Sequence, residues 1–201
     1  LIVTIDVVGL YTNIPHHEVG PAITAALDRY DADPATPPPH LLQTIIEHVL
    51  ENNVFDFDGE LYQQKFGTAM GTPMAPSIAN IFMAWIEDKI LSTSPWTIET
   101  TNWKRFIDDI ALLWFHGEDQ LHEFLEWINT LHPTIKFTAN FGTCNIPYLD
   151  VSLSIIGDSI STDLHVKPTD ANMCLPFHSC HPRHCARSIP YSQCLRIRRI
   201  C

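Results

Sequence analysis

The sequence lacks a long apolar run, and positive charge is scarce in it. No stretch of 18 apolar residues occurs among the 201 residues, and the N-terminus does not resemble a signal peptide. We therefore expect neither a membrane span nor secretion, but an intracellular protein of the nucleus or cytoplasm. Lys and Arg number 12 against 23 Asp and Glu, a formal net charge of −11. Taken alone, that charge argues against a polyanionic partner.

The positive charge that is present is concentrated at the C-terminal end. From residue 163 to 201, six Lys or Arg accompany two Asp, which leaves a net charge of −15 for residues 1–162. Five of the six cysteines lie in the same tail, and without a secretion signal we expect reduced thiols. The sequence predicts an acidic body with a basic appendage. Because it opens directly in a strand-like run and closes on "RIRRIC", we interpret it as part of a longer protein.

The hydrophobic pattern predicts strands interleaved with helices. Helical spacing of apolar residues indicates helices over 15–30, 41–50, 78–86 and 118–131. Strand patterns cover 1–6, a hairpin turning at Asp58-Gly59, a hairpin over 101–115, and the alternating runs 135–141, 149–155 and 160–166. The fold class predicted from the pattern is α+β: an antiparallel sheet covered on one face by helices.

Three carboxylates are placed where they can converge. Asp6 ends the first strand, and Asp108 and Asp109 sit at the predicted tip of a hairpin, in the otherwise apolar stretch "RFIDDIALLW". On neighbouring strands these groups repel one another unless a cation neutralises them. A divalent metal with oxygen ligands, above all Mg²⁺, meets that need and supports nucleotidyl transfer. The alternative from the residues alone is a solvated Asp-Asp turn with Asp6 as a strand end.

Five stretches occur in a characteristic order: "TIDVVGLYTNIP", "GTAMGTPMAPSIANIFM", "RFIDDIALLW", "HPTIKFTANF" and "IPYLDVSLSI". Together they resemble the palm motifs of reverse transcriptases, and most closely those of Penelope-like retroelements. The resemblance covers residues 1–166 and implies an RNA-directed DNA polymerase that adds dNTPs to a DNA primer on an RNA template. It implies a palm over 1–166 whose fingers would precede Leu1, and a basic thumb-like or helix-turn-helix-like segment over 167–201.

The resemblance also implies roles for individual residues. Asp6 and Asp108 would hold two Mg²⁺ ions, for which Mn²⁺ can substitute, with Asp109 as the third carboxylate. Tyr11 would stack under the incoming sugar and exclude a 2′-hydroxyl; a core tyrosine is the alternative. The dNTP-binding set implied is Tyr11, Met70, Gly71 and Lys136.

Within the five motifs, some positions depart from the commoner family pattern or have a second explanation. Met70 stands where many reverse transcriptases have Gln, Ala75 replaces a Ser, and Phe106 replaces the more frequent Tyr; none of these changes removes a metal ligand. Lys136 is a candidate general acid for the departing pyrophosphate. It is equally explained as a solvent-facing residue of an alternating strand.

The tail admits three interpretations. Its arginines can contact nucleic-acid phosphates; they are Arg183, Arg187, Arg196, Arg198 and Arg199. A zinc site is the weaker alternative, because the spacing lacks paired knuckles; its ligands would be Cys180, His181, His184 and Cys185 with Cys174 or His178. The third is a structural helix with inert thiols. The resemblance favours phosphate contact.

Two other functions fit the same residues. One is a catalytically inactive retroelement remnant that only binds nucleic acid, since fold does not imply activity. The other is a metal-dependent phosphohydrolase, which would leave Tyr11 and the Gly-Pro loop without a role. The sequence carries no signal for an oligomeric state, and no endonuclease motif is visible.

Overall fold

The computed structural model describes residues 1–29, 37–170, 175–176 and 178–201. Within these ranges the chain forms six α-helices, one short 3-10 helix at Thr100–Asn102 and nine strands. The helices are α1 (Leu10–Asn13), α2 (His16–Arg29), α3 (Pro39–Glu51), α4 (Ala75–Thr93), α5 (Glu118–Thr130) and α6 (Arg183–Ile200). The strands are β1 (Ile2–Val7), β2 (Val54–Phe57), β3 (Glu60–Gln63), β4 (Trp103–Phe106), β5 (Asp109–Leu113), β6 (Phe137–Gly142), β7 (Ile146–Tyr148), β8 (Val151–Ile156) and β9 (Ser159–Leu164).

A four-stranded antiparallel sheet in the order β4-β5-β1-β6 forms the centre of the fold. Because side chains alternate along a strand, Val3, Ile5 and Val7 share one face of β1. All three are buried, in one core with residues of α4 and α5 such as Phe82 and Phe124. The helices therefore cover this face, and the predicted α+β architecture is confirmed.

The opposite face of β1 carries Ile2, Thr4 and Asp6. A second sheet, β7-β8-β9, covers its first part, where a cavity of about 250 Å³ is lined by Ile2, Leu153 and Ile160 among others. The cover ends before Asp6, which is the single exposed residue of β1. The sheet therefore presents its Asp6 end to solvent on the face without helices.

A buried histidine ties α2 to the turn between α5 and β6. His132 is 3% exposed, and its Nε2 lies 2.7 Å from Oε2 of Glu18. Its Nδ1 accepts the backbone N–H groups of Thr134 (3.2 Å) and Ile135 (3.1 Å). These acceptor bonds place the ring proton on Nε2, so the imidazole satisfies two buried donors and one carboxylate at once.

The structure corrects two of the predictions made from the hydrophobic pattern and adds one strand. The β4–β5 turn consists of Ile107 and Asp108, so Asp109 is the first residue of β5 and not part of the hairpin tip. The short strand β7 was not predicted, because three residues are too few for a periodic pattern. The alternation over 160–166 suggests a half-buried strand, but β9, the edge strand of its sheet, is exposed along almost all its length because the rest of the fold leaves both of its faces largely uncovered. Part of the loop before α3 lies outside the described residues.

The C-terminal segment forms one long helix in the part of the chain that the structure describes. No residue of α6 is buried, and its last turn contacts β9. Cys144, Cys180, Cys185, Cys194 and Cys201 are all free thiols, whereas Cys174 lies outside the described residues. None of the described helices has the length and hydropathy required to cross a bilayer.

Candidate active site

The antiparallel register of β1 and β5 brings two of the three carboxylates together. Ile5 pairs with Ile110, so one step further along the same register Asp6 comes opposite Asp109. Directly opposed residues have Cβ atoms about 4.5–5.5 Å apart and point to the same face of a sheet. Asp108, which precedes Asp109 in sequence, lies in the adjoining β4–β5 turn. Residues separated by about a hundred positions in sequence therefore meet at the open end of the sheet.

Partial burial and neighbouring negative charges raise the pKa values of Asp6 and Asp109. Partial burial raises the pKa of Asp6, and the negative charge of Asp108 raises it further. The pKa of Asp109 is also raised, first by partial burial and then by repulsion from Asp108 and Asp6. Both shifts mean that the site disfavours its own negative charges, which is the condition under which a cation binds.

The turn that carries Asp108 is strained. Ile107 has a φ of 56°, which is rare for a β-branched residue and which hairpin turns normally assign to Gly or Asn. Arg105 supports it: Nη1 donates to the Ile107 carbonyl at 3.0 Å, and Nε lies 2.8 Å from Oε2 of Glu87 on α4. Backbone strain of this kind persists where surrounding contacts enforce it, and it is concentrated at functional sites.

Tyr11 lies on α1, directly after β1, and is clamped to the Gly-rich loop. The Thr68 N–H donates to the Tyr11 carbonyl at 2.7 Å, and the Gly67 N–H donates to the Ile14 carbonyl at 3.1 Å. Gly67 has a φ of 73°, and a Cβ there would come within 2.5 Å of the Tyr11 carbonyl oxygen. Only glycine permits this approach, so the loop is held against the segment that carries Tyr11.

Further along this loop, Met70 and Gly71 face open space. The Met70 side chain is 73% exposed. Gly71 has a φ of 100°, and no atom lies within 4 Å of the position that a Cβ would take. Both positions are therefore open to solvent.

Lys136 has a structural explanation in this fold. Its ammonium donates to the carbonyls of Asn129 (2.7 Å) and His132 (3.0 Å), at the C-terminal end of α5. A cation there satisfies orphan carbonyls and the negative end of the helix dipole. Its backbone carbonyl accepts the Val8 N–H at 2.8 Å, which places the residue near the end of β1. A role as general acid stays a prediction.

Two residues that the sequence analysis did not assign to the site interact with Asp109. The positive charge of Lys167, just after β9, opposes the rise in the Asp109 pKa. Burial raises the pKa of Tyr148 on β7, and repulsion by Asp109 adds to it while Arg105 acts against it. The aromatic and the cation lie in the "IPYLD" and "HVKP" stretches, whose hydrophobic pattern gave no signal for proximity to Asp109.

The carboxylate oxygens are suitable ligands for a hard cation, although they do not by themselves complete a coordination sphere. Among the described residues, no three His, Cys, Asp or Glu side chains are arranged as a ready metal site. Mg²⁺ does not require one, since it commonly binds one or two carboxylates and completes its octahedron with water and substrate phosphates. The donors at this site are all carboxylate oxygens, which suit Mg²⁺ or Mn²⁺ and not a thiophilic metal.

The tail arginines do not behave alike. Arg183, Arg187, Arg198 and Arg199 are exposed, whereas Nη2 of Arg196 lies 3.1 Å from Oδ2 of Asp150 in the β7–β8 turn. The sequence predicts phosphate contact for all five arginines, and the structure separates Arg196 from the others.

Comparison with known proteins supports the fold and leaves the activity to be proposed. A family model described as the animal helix-turn-helix domain matches residues 173–201. No curated protein matches the chain.

Several solved polymerases have similar structures at low sequence identity. Apo telomerase from Candida tropicalis, truncated from its C-terminal domain, superposes with a TM-score of 0.56 at 13% identity, over 81% of this chain and 35% of that one. Candida albicans telomerase in complex with the TWJ fragment of telomeric RNA gives 0.51 and 15%, over 80% and 31%. The Sicinivirus 3Dpol RNA-dependent RNA polymerase gives 0.50 and 16%, over 82% and 36%. The chain spans about a third of the length of these polymerases, and it has a nucleotide polymerase fold.

Proposed function

We propose that this chain is the palm of an RNA-directed DNA polymerase that adds dNTPs to the 3′ end of a DNA primer on an RNA template. One observation carries the proposal: on the open face of a polymerase-type sheet, the β1–β5 register sets Asp6 opposite Asp109, with Asp108 in the adjoining turn. A metal-dependent phosphohydrolase would need the same acids but would give no role to the clamped loop beside Tyr11.

The chain's own residues divide the work in this proposal. Asp6 and Asp108 supply carboxylate oxygens to two Mg²⁺ ions, and Asp109 adds a third charge across the strand pair. When bound there, the ions would activate the primer hydroxyl and stabilise the leaving phosphate oxygen. Tyr11 follows Asp6 closely, on the helix directly after β1, so its ring can select against a 2′-hydroxyl. Met70 and Gly71 offer the surface for the nascent base pair.

A Penelope-like retroelement origin is the finer part of the proposal. It is supported by the order of the five palm motifs along residues 1–166. The animal helix-turn-helix match over residues 173–201 supports it independently, since the tail there was expected to be helix-turn-helix-like. The exposed arginines of α6 would contact phosphates of the primer–template.

Primer extension with the full-length protein tests the proposal. We expect Mg²⁺-dependent extension of a DNA primer on an RNA template, and none by Asp108→Asn, which removes one ligand charge from a half-buried turn. Asp158→Asn, with the same charge change in the β8–β9 turn, should extend as the wild type does. Circular dichroism should show both variants folded.

Two outcomes would contradict the proposal. Extension by Asp108→Asn at the wild-type rate would remove the metal role of this residue. If the wild type bound primer–template but extended no primer with Mg²⁺ or with Mn²⁺, the nucleic-acid-binding remnant would be favoured instead.

A further inference from the structure

The five arginines of the tail fall on different sides of α6. An α-helix turns about 100° per residue, so Arg198 points about 200° away from Arg196. Arg187 and Arg183 lie about 180° and 140° from Arg196 by the same count. Three arginines therefore share the side of α6 opposite to Arg196, and all three are exposed. We call Arg183, Arg187 and Arg198 the outer arginine face.

Arg196 faces the body of the protein. Its guanidinium pairs with Asp150 at 3.1 Å, and its side chain is 36% exposed against 65% for Asp150. The end of α6 also contacts β9, where Thr162 donates its hydroxyl proton to the Ile200 carbonyl and the Cys201 thiol lies 3.4 Å from Oδ1 of Asp163. Arg196 thus takes part in a docked interface, unlike the other arginines.

The turn that holds Asp150 is built like the turn that holds Asp108. Tyr148 pairs with Val151, so Leu149 and Asp150 form a two-residue loop, as Ile107 and Asp108 do between β4 and β5. Leu149 has a φ of 53°, close to the 56° of Ile107. In both turns a bulky aliphatic residue takes the left-handed conformation and an aspartate follows. Strain of this kind persists only where surrounding contacts enforce it, and it is concentrated at functional sites.

This second turn is fixed close to the carboxylates. The His165 N–H donates to the Asp150 carbonyl at 2.9 Å, which ties the turn to the end of β9. Tyr148, directly before the turn, interacts electrostatically with Asp109 and Arg105. A polar cavity of about 280 Å³ lies between the turn and α6, lined among others by Asp150, Lys167 and Arg196. β7, which ends at Tyr148, contacts both β1 and β5, so the turn lies close to the strands that carry Asp6 and Asp109.

We propose that Arg196 is a positioning residue and not a phosphate ligand: its pairing with Asp150 docks α6 on the β7–β8 turn and thereby orients the outer arginine face relative to the three carboxylates. The docking does not depend on the proposed function. The consequence for primer–template binding does rest on it, because the outer arginine face is taken there to contact phosphates.

Hydrogen exchange without nucleic acid tests the docking alone. Arg196→Ala should speed exchange of the α6 amides about fivefold, the effect expected from losing one well-placed exposed ion pair. Arg198→Ala, two residues away on the opposite side of the same helix, should leave exchange unchanged. The charge-swapped double variant Asp150→Arg/Arg196→Asp should restore slow exchange. Equal exchange in Arg196→Ala and the wild type would overturn the docking role, whatever the chain's activity.

Primer–template binding as a function of salt then separates a positioning residue from a phosphate ligand. Arg198→Ala should lower the slope of log affinity against log salt by about one. Arg196→Ala should weaken binding, and the charge swap should recover it towards the wild-type value. If Arg196 were a phosphate ligand, the charge-swapped variant would bind primer–template more weakly than Arg196→Ala, because the swap would place a carboxylate against the phosphate. That result would overturn the proposal. If none of the variants bound primer–template more weakly than the wild type, the proposed function of the tail would be contradicted instead.

Discussion

The carboxylate site should be a source of instability that one conservative substitution relieves. Asp6→Asn keeps the size of the side chain and removes the charge that opposes Asp109 across β1 and β5. The pKa of Asp6 is raised, so the folded state binds its proton more tightly than the unfolded state does. Ionisation of Asp6 near neutral pH therefore lowers the free energy of unfolding.

The size of the effect follows from the geometry of the strand pair. Like charges directly opposite in antiparallel strands cost about 0.2–1 kcal/mol. Asp6 is exposed, so solvent keeps the cost within that range. For a chain of this length 1 kcal/mol corresponds to about 2–4 °C in Tm. We expect Asp6→Asn to raise Tm by about 0.4–4 °C at about pH 7 in EDTA while abolishing primer extension.

Thermal unfolding followed by circular dichroism measures this gain. The gain should shrink between neutral pH and about pH 4, because the wild-type carboxylate becomes protonated as the pH falls through its raised pKa. Mg²⁺ should raise Tm of the wild type more than that of the variant. Asp158→Asn, which removes the same charge from a distant turn, should not reproduce the gain. A Tm for Asp6→Asn at or below the wild-type value at neutral pH would refute the repulsion argument.

Three further predictions concern the surroundings of the site. Tyr11→Ala should admit ribonucleotides in primer extension; unchanged sugar discrimination would remove the ring from the site. Gly67→Ala should destabilise the fold more than Gly71→Ala. Both variants incur about 1–2 kcal/mol for a left-handed backbone, but only the first places a Cβ 2.5 Å from the Tyr11 carbonyl oxygen. Equal losses in the free energy of unfolding, measured by chemical denaturation, would contradict the close approach. His132→Ala removes the acceptor of the Thr134 and Ile135 N–H groups and the partner of Oε2 of Glu18. It should lower the free energy of unfolding by about 2–4 kcal/mol. A loss below about 1 kcal/mol in urea titration would show that water replaces the ring.

The helices were predictable because their signals are local. Amphipathic spacing over 15–30, 41–50 and 118–131 needs only a few turns of sequence, and α2, α3 and α5 lie where that spacing indicates. The Asp58-Gly59 turn of the β2–β3 hairpin was equally readable, since both residues take a positive φ. The edge strand β9 shows the limit, because alternation does not reveal whether another sheet covers a strand.

The identity of the acids was available from the sequence, and the strand pairing was not. Adjacent aspartates in an apolar stretch indicate a need for a partner, but pairing of β1 with β5 is decided by packing of the whole core around α4 and α5. That packing also shows why Gly67 must be glycine, since the requirement comes from the Tyr11 carbonyl on a different segment.

The sequence by itself determined that the chain has an acidic α+β body, a basic tail and three candidate metal-binding carboxylates. Only the tertiary structure decided which of several residues of the same type pair with another side chain and which face solvent. Arg196 and Arg198 are equivalent in composition, yet one pairs with Asp150 and the other faces solvent. The physical reason is that charge and hydrophobicity are properties of a residue, whereas the partner of a charge is set by which distant segment the fold brings beside it.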